Sequence, residues 1–211
     1  MSGYRIVNVL PLNKKKYKIS MEGTESIIIS LYPSELRKYD VKEGNTLSEA
    51  EYNRIKDVLY KRGKERALYY LKTSDKTSSQ MRKKLSEGFY PKDVIDKIIQ
   101  FLEEYKYIDD LRYANQYVQY NIKRKSLNQI KNDLRQKGIC REDLDNVLLE
   151  VEDNIEGNPQ TDIIRKYILK KHKTDLDIKE KNKIVMALVR KGFRFDYIIS
   201  VYRRVEREEE F

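Results

Sequence analysis

Few residues in this chain have the type and spacing for covalent or metal chemistry. Asp109-Asp110 is the one adjacent acidic pair in a specific setting, directly after Tyr107-Ile108 and before Leu111-Arg112. Two sequential carboxylates give Mg²⁺ too few convergent oxygens. A helix start explains them better, with Asp109 as N-cap and both charges on the positive end of the helix dipole. Cys140 and His172 are the sole cysteine and histidine, which excludes an internal disulfide framework and a His/Cys zinc site. A thiol–imidazole pair would have to use those two. Cys140 instead reads as a small, partly buried residue at a helix start, and His172, inside Lys170-Lys171-His172-Lys173, as a solvated helix end. Gly63-Lys64 lacks both the upstream glycine and the following hydroxyl of a phosphate-binding loop. The sequence predicts no catalytic residue, no metal and no cofactor.

Positive charge is the chain's main chemical resource. Against 34 Asp+Glu stand 44 Lys+Arg, a net charge of +10, which points to a polyanion or an acidic protein face as partner. The cations cluster as Arg82-Lys83-Lys84; as Lys123-Arg124-Lys125 with Lys131, Arg135 and Lys137; and as Lys179, Lys181, Lys183, Arg190, Lys191 and Arg194. Acids of the middle segment gather between Asp143 and Glu156, so that segment has a positive and a negative side. Solvated faces and phosphate contacts both fit such clusters; their recurrence in successive segments favours contact. Tyr113, Tyr117 and Tyr120 precede the Lys123 cluster at helical spacing and fit base stacking or, more commonly, a core stripe.

The elements that carry these residues follow from periodicity. At 211 residues, 39% hydrophobic and 37% charged, with 8 Gly and 4 Pro, the chain is long enough for one large or two small domains and reads as helix-rich. No apolar run approaches the ~18 residues of a membrane span, and no export signal opens the chain, so a cytosolic protein is expected. Lys16-Tyr17-Lys18-Ile19-Ser20-Met21 alternates as a strand with one buried face. Tyr4 to Leu10 and Ser26 to Leu31 flank it, with turns at Pro11-Leu12-Asn13 and Glu22-Gly23-Thr24, giving a three-stranded β-meander that must pack on the following helix. Ser48-Glu49-Ala50-Glu51 is a capping box, and the helix it starts is bent or interrupted at Gly63.

An internal repeat then emerges around Gly88, Gly138 and Gly192, each placed as a helix C-cap. One residue later stand Phe89, Ile139 and Phe193; six later Val94, Leu144 and Ile198; ten later Ile98, Leu148 and Tyr202; thirteen later Phe101, Val151 and Val205. Ile130 and Leu134 lie eight and four residues before their glycine, as do Ile184 and Leu188, whereas Met81 and Leu85 lie one residue short. A further helix completes each unit: Lys64 to Thr73, Asp109 to about Lys125, and Pro159 to about His172, the last capped by Asn158. The expected architecture is mainly α: a tandem array of three three-helix repeats, elongated and curved, behind a small N-terminal β-meander. Its segments are 1–47 (meander and short helix), 48–108, 109–157 and 158–211.

These residues resemble the RecX family of recombinase regulators. The likeness rests on Arg66-Ala67-Leu68 and Leu71; on Lys84-Leu85, Gly88-Phe89, Val94-Ile95 and Leu102; and on Tyr107-Ile108-Asp109-Asp110 followed by Arg112-Tyr113-Ala114, its most specific part. It continues through the basic stretch at Lys123, Ile130, Leu134 and Lys137-Gly138-Ile139. The resemblance implies a non-enzymatic protein of DNA repair, and an extended monomer fits the chain best. Such a protein lies in the groove of the RecA filament on single-stranded DNA, limits its extension, and suppresses its ATPase and strand exchange. The basic clusters would face recombinase or DNA phosphate. The alternatives are a general nucleic-acid-binding helical protein and a nuclease built on Asp109 and Asp110.

Overall fold

Alternation through Tyr17, Ile19 and Met21 builds the strand at the centre of the N-terminal sheet. The computed structural model describes residues 3–23, 26–152, 159–171 and 178–209; His172 and Asn158 lie outside the described residues. Four strands, β1 (Gly3–Asn13), β2 (Lys16–Glu22), β3 (Ser26–Leu31) and β4 (Thr46–Ser48), form an antiparallel sheet in the order β3-β2-β1-β4. Ile6 pairs with Met21, Ile19 with Ile29, and Tyr4 with Leu47. The meander thus has one strand more than expected, because Thr46 to Ser48, ending on the N-cap residue of the capping box, pair back onto β1. Its first turn also moves. Pro11 to Asn13 continue β1 with an irregular register, and the Asn13 side chain accepts from the Lys15 and Lys16 amides to close the turn.

A short helix, α1 (Pro33–Lys38), precedes α2 (Glu49–Thr73). The Ser48–Glu51 box forms as expected: Glu51 N donates to Ser48 Oγ at 3.3 Å and Ser48 N to Glu51 Oε2 at 2.8 Å. Tyr52, Ile55, Leu59, Gly63 and Ala67 form the buried stripe of α2, which lies against the sheet residues Ile6, Ile19, Met21 and Ile29 in one apolar core. The helix runs unbroken through Gly63, so Lys64 to Thr73 is not a separate element. Gly63 marks a close approach, since a Cβ there would stand 2.5 Å from Ile98 Cδ1 and 3.0 Å from the Tyr90 ring.

The remaining helices are α3 (Ser78–Glu87), α4 (Lys92–Glu104), α5 (Asp110–Asn121), α6 (Leu127–Gln136), α7 (Arg141–Glu152), α8 (Pro159–Lys171), α9 (Ile178–Arg190) and α10 (Phe195–Glu209). The chain divides into two compact units, Met1–Asp109 and Asp110–Phe211. The first has one core shared by the sheet and α2–α4. The second has one core within α5–α7 and another within α8–α10. Asp109 stands immediately before α5, at the N-cap position. The Lys123 cluster does not end that helix: α5 stops at Asn121, and the Arg124 and Lys125 amides both bond the Asn121 carbonyl in a tight turn.

The turns inside the repeats correct the register. Gly138 (φ 83°) and Gly192 (φ 82°) are left-handed as glycine C-caps should be, but in the first repeat the left-handed residue is Phe89 (φ 58°). The bonding agrees, since Tyr90, Ile139 and Phe193 each donate to the carbonyl five residues back, at Leu85, Leu134 and Leu188. Phe89 is therefore the counterpart of Gly138 and Gly192. Met81 and Leu85 fall eight and four residues before it, in step with the other repeats. In this register the third-helix counterparts of the other repeats are Ile95, Ile99 and Leu102; Val94 and Ile98 are buried as well, and Phe101 packs partly buried against the same core. Gly88 is small for another reason: a Cβ there would stand 2.9 Å from the Tyr90 ring.

Candidate partner and nucleic-acid interface

The corrected register sorts the basic residues. Arg82 and Asp96 lie seven residues either side of Phe89, and Lys131 and Asp145 lie seven either side of Gly138. Both pairs form ion pairs joining the second and third helices of their repeat, Lys131 to Asp145 at 2.9 Å. The third repeat has Val185 and Ile199 at these positions, both within its core. Arg82 and Lys131 are thus neutralised locally. Lys84 faces Glu87 at 3.4 Å, Lys181 pairs with Glu206 at 2.7 Å, and Arg194 holds Asp196 at 2.8 Å with its guanidinium 5.0 Å from the Tyr197 ring.

Lys125 turns inward as well. Its ammonium bonds Asp133 at 2.7 Å and the Tyr117 hydroxyl at 3.1 Å, while that hydroxyl lies 2.9 Å from the same carboxylate. The Lys125 hydrogen bond holds the Asp133 carboxyl below its usual range, and Asp133 raises Lys125. Lys137 lies 5.3 Å from the Tyr117 ring and 5.8 Å from Tyr113. Tyr113 and Tyr117 stack at 6.5 Å and pack on the α5–α7 core, whereas Tyr120 is 81% exposed.

Lys123 and Arg124 point outward from the turn that Lys125 anchors. A buried glutamine on α8 sets this turn: the Gln160 amide donates to the Ile122 and Lys125 carbonyls at 3.1 and 2.9 Å and accepts from the Leu127 amide at 3.0 Å. At 2% exposure, a side chain satisfying three backbone groups is costly to remove. Lys123 and Arg124 line an open groove of about 500 Å³ with Pro159, Asp162, Ile163 and Lys166. The next basic turn is docked alongside, because the fully buried Ser126 hydroxyl donates to the Lys191 carbonyl at 2.6 Å. Lys191 extends past Tyr167 at 5.5 Å. Lys83, Lys123, Arg124, Arg135, Lys179, Lys183 and Arg190 are exposed and meet no carboxylate among the described residues.

Sequence reasoning missed Lys166 and Gln160. Lys166 follows Asp162 at helical spacing and carries no marker beyond that, and a glutamine just after a helix-starting proline ordinarily reads as solvated. Cys140 is exposed, not partly buried. It precedes α7, its thiol donating to Asp143 Oδ2 at 3.1 Å, because the cap position faces solvent. Among the described residues no three His, Cys, Asp or Glu side chains converge as metal ligands, and no helix is long and apolar enough to cross a membrane.

Repeated three-helix units and a glutamine-clamped basic turn define a tandem-repeat protein built around its helix–turn contacts. Family models described as the first and second three-helix domains of RecX match residues 64–102 and 109–148. A regulatory protein RecX of Clostridium tetani is 30% identical over 209 residues, covering 94% of this chain and 92% of that protein. One from Leuconostoc mesenteroides is 31% identical, covering 97% and 77%. The crystal structure of RecX from Lactobacillus salivarius superposes with a TM-score of 0.64 at 26% identity, covering 71% of this chain and 98% of that one. A second RecX crystal structure shares the fold, with a TM-score of 0.63 at 24% identity over 95% and 99%. The chain belongs to the RecX family, whose named members here are regulatory proteins.

Proposed function

We propose that this protein regulates the RecA recombinase by binding its filament on single-stranded DNA, limiting filament extension and suppressing ATPase and strand exchange. The observation that carries the reading is the pair of adjoining basic turns in the second unit. Lys123 and Arg124 stand without carboxylate partners on a turn clamped by Gln160, beside the turn bearing Arg190 and Lys191. Unneutralised cations on rigid backbone suit phosphate or an acidic protein face, because little ordering entropy is lost on contact. Arg135, Lys179 and Lys183 extend the contact along the second helices of their repeats within the same unit. Regulation needs only differential affinity for one filament state over another, so the reading requires neither catalytic residue nor cofactor, and a cytoplasmic monomer suffices.

The test is recombinase ATPase on single-stranded DNA with the protein substoichiometric to recombinase. Inhibition is expected; none would overturn the reading. A salt-dependent mobility shift of DNA alone, as tight as that of the filament, would assign the protein to general nucleic-acid binding instead.

A further inference from the structure

A second cationic site lies in the first unit, in the cleft between the β1–β2 hairpin and the helices α2 and α3. It is a cavity of about 440 Å³ whose polar wall comprises Lys15, Lys16, Arg66 and Lys84 around Tyr32 and Tyr70. Glu87 is its one lining carboxylate, and it faces Lys84 at 3.4 Å. Behind the wall, the Arg62 guanidinium is neutralised by Glu35 at 2.7 Å and bonds the Ser30 carbonyl at 2.6 Å. That leaves Lys15, Lys16 and Arg66 with no carboxylate partner among the described residues. Arg66 spends only its Nε, on the Tyr70 hydroxyl at 2.9 Å.

Lys16 is half-buried beside the exposed Lys15, Arg66 and Lys84, and clustered like charges repel one another unless an anion completes them. Lys16 shows the cost: burial lowers its basicity first, and the Arg62 and Arg66 charges add to this, against a smaller opposing effect of Glu35. The aromatic faces are already used. Tyr32 carries Lys16 at 5.0 Å and Arg62 at 4.8 Å, and Tyr70 carries Arg66 at 5.3 Å. The cleft therefore offers N–H donors and positive charge and no open ring for a base. Its ligand is a compact anion with several oxygens and more than one negative charge, matching a guanidinium fork and two ammonium groups.

We propose that this cleft binds a phosphoryl group, carried by a free nucleotide or by the 5′ end of a nucleic-acid strand. The inference does not rest on the filament reading, because it uses different residues in the other compact unit.

The experiment titrates the full chain calorimetrically at constant ionic strength with inorganic phosphate, with thymidine 5′-monophosphate, and with an oligothymidylate bearing either a 5′-phosphate or a 5′-hydroxyl. Saturable phosphate binding is expected, weakened about tenfold or more in Lys16→Gln/Arg66→Gln, since each lost charge-assisted bond accounts for such a factor. Lys123→Gln/Arg124→Gln should bind phosphate as the parent does. Preference for the 5′-phosphorylated oligomer, lost in the cleft variant, assigns the strand end; tight mononucleotide binding without that preference assigns the free nucleotide. Should the double variant fail to fold, Lys15→Gln, on the exposed hairpin, is expected to weaken phosphate binding on its own. Absence of phosphate binding in the parent, or equal binding in folded cleft variants, overturns the proposal.

Discussion

The Ser126 hydroxyl donates to the Lys191 carbonyl at 2.6 Å, and the Ser30 hydroxyl donates to the Gly88 carbonyl at 2.9 Å. Both acceptors stand immediately before the left-handed residue that ends a second helix, Gly192 and Phe89, where helix carbonyls lack an intrahelical partner. Each turn is thus satisfied by the element that precedes its repeat: strand β3 for the first repeat, the second repeat for the third.

Ser126 also caps α6, accepting from the Gln129 amide at 3.2 Å. Ser126→Ala therefore removes a cap and a buried acceptor's partner together and should cost about 2 kcal/mol. Ser30→Ala loses one bond and should cost about 1 kcal/mol. Urea unfolding midpoints measure both, and equal costs for the two variants would contradict the double role.

Gly63→Ala sets helix propensity against packing. Alanine gains about 1 kcal/mol in a helix interior, but its methyl would press on Ile98 and Tyr90, and overpacking typically costs about 1–3 kcal/mol. Net destabilisation is expected in thermal melts; a raised melting temperature would show that α2 and α4 separate easily.

Reversing Lys123 and Arg124 to glutamate should weaken filament inhibition about tenfold or more while leaving the melting temperature nearly unchanged, since exposed charges contribute little stability. Arg82→Gln and Lys131→Gln remove charges already paired within their repeats, so inhibition should stay close to the parent. Dose–response curves of ATPase inhibition separate the two groups, and equal losses would mean that total charge alone governs binding.

Acid should expose the Asp133 contact. Its folded-state pKa is depressed below the ordinary 3.8, chiefly by the Lys125 hydrogen bond. The charged form therefore stabilises the fold above that value, and the contribution fades as pH falls through the lower, folded pKa. Asp145 beside Lys131 and Asp196 beside Arg194 act in the same direction. Stability measured between pH 5 and pH 2 should decline less steeply in Asp133→Asn than in the parent; parallel curves would remove the contact from the acid response.

Much of this was legible in the residues, and the misreadings have physical causes. The alternation at Tyr17, Ile19 and Met21 and the box at Ser48 and Glu51 are local rules, and they hold. Aligning the repeats on glycine is off by one position in the first copy, because the left-handed place there is held by Phe89 and not by Gly88. At the first turn the ring of Tyr90 leaves Gly88 no room for a side chain, and the left-handed angle passes to Phe89. With that register wrong, the equivalence of Arg82–Asp96 and Lys131–Asp145 was invisible, and paired and unpaired cations looked alike. Charge clustering singles out Lys123 and Arg124 but assigns them to the end of a helix, whereas they lie in the turn after α5. It said nothing of Gln160, whose role depends on a residue far along the chain meeting two carbonyls and an amide. Thr77 and Ser126, each followed three residues later by glutamine, also match the capping-box spacing, and both boxes form.

Gln160 has an evolutionary corollary. A clasp that reaches from one repeat into its predecessor makes the copies unequal: deleting the last three helices would strand the hydrogen-bonding groups it serves. Duplicating the second repeat, which holds no such glutamine at its start, would add a joint with no clasp of its own. Changes in repeat number in such a protein must therefore bring a replacement fastener with them, which ties the length of the array to one amide side chain.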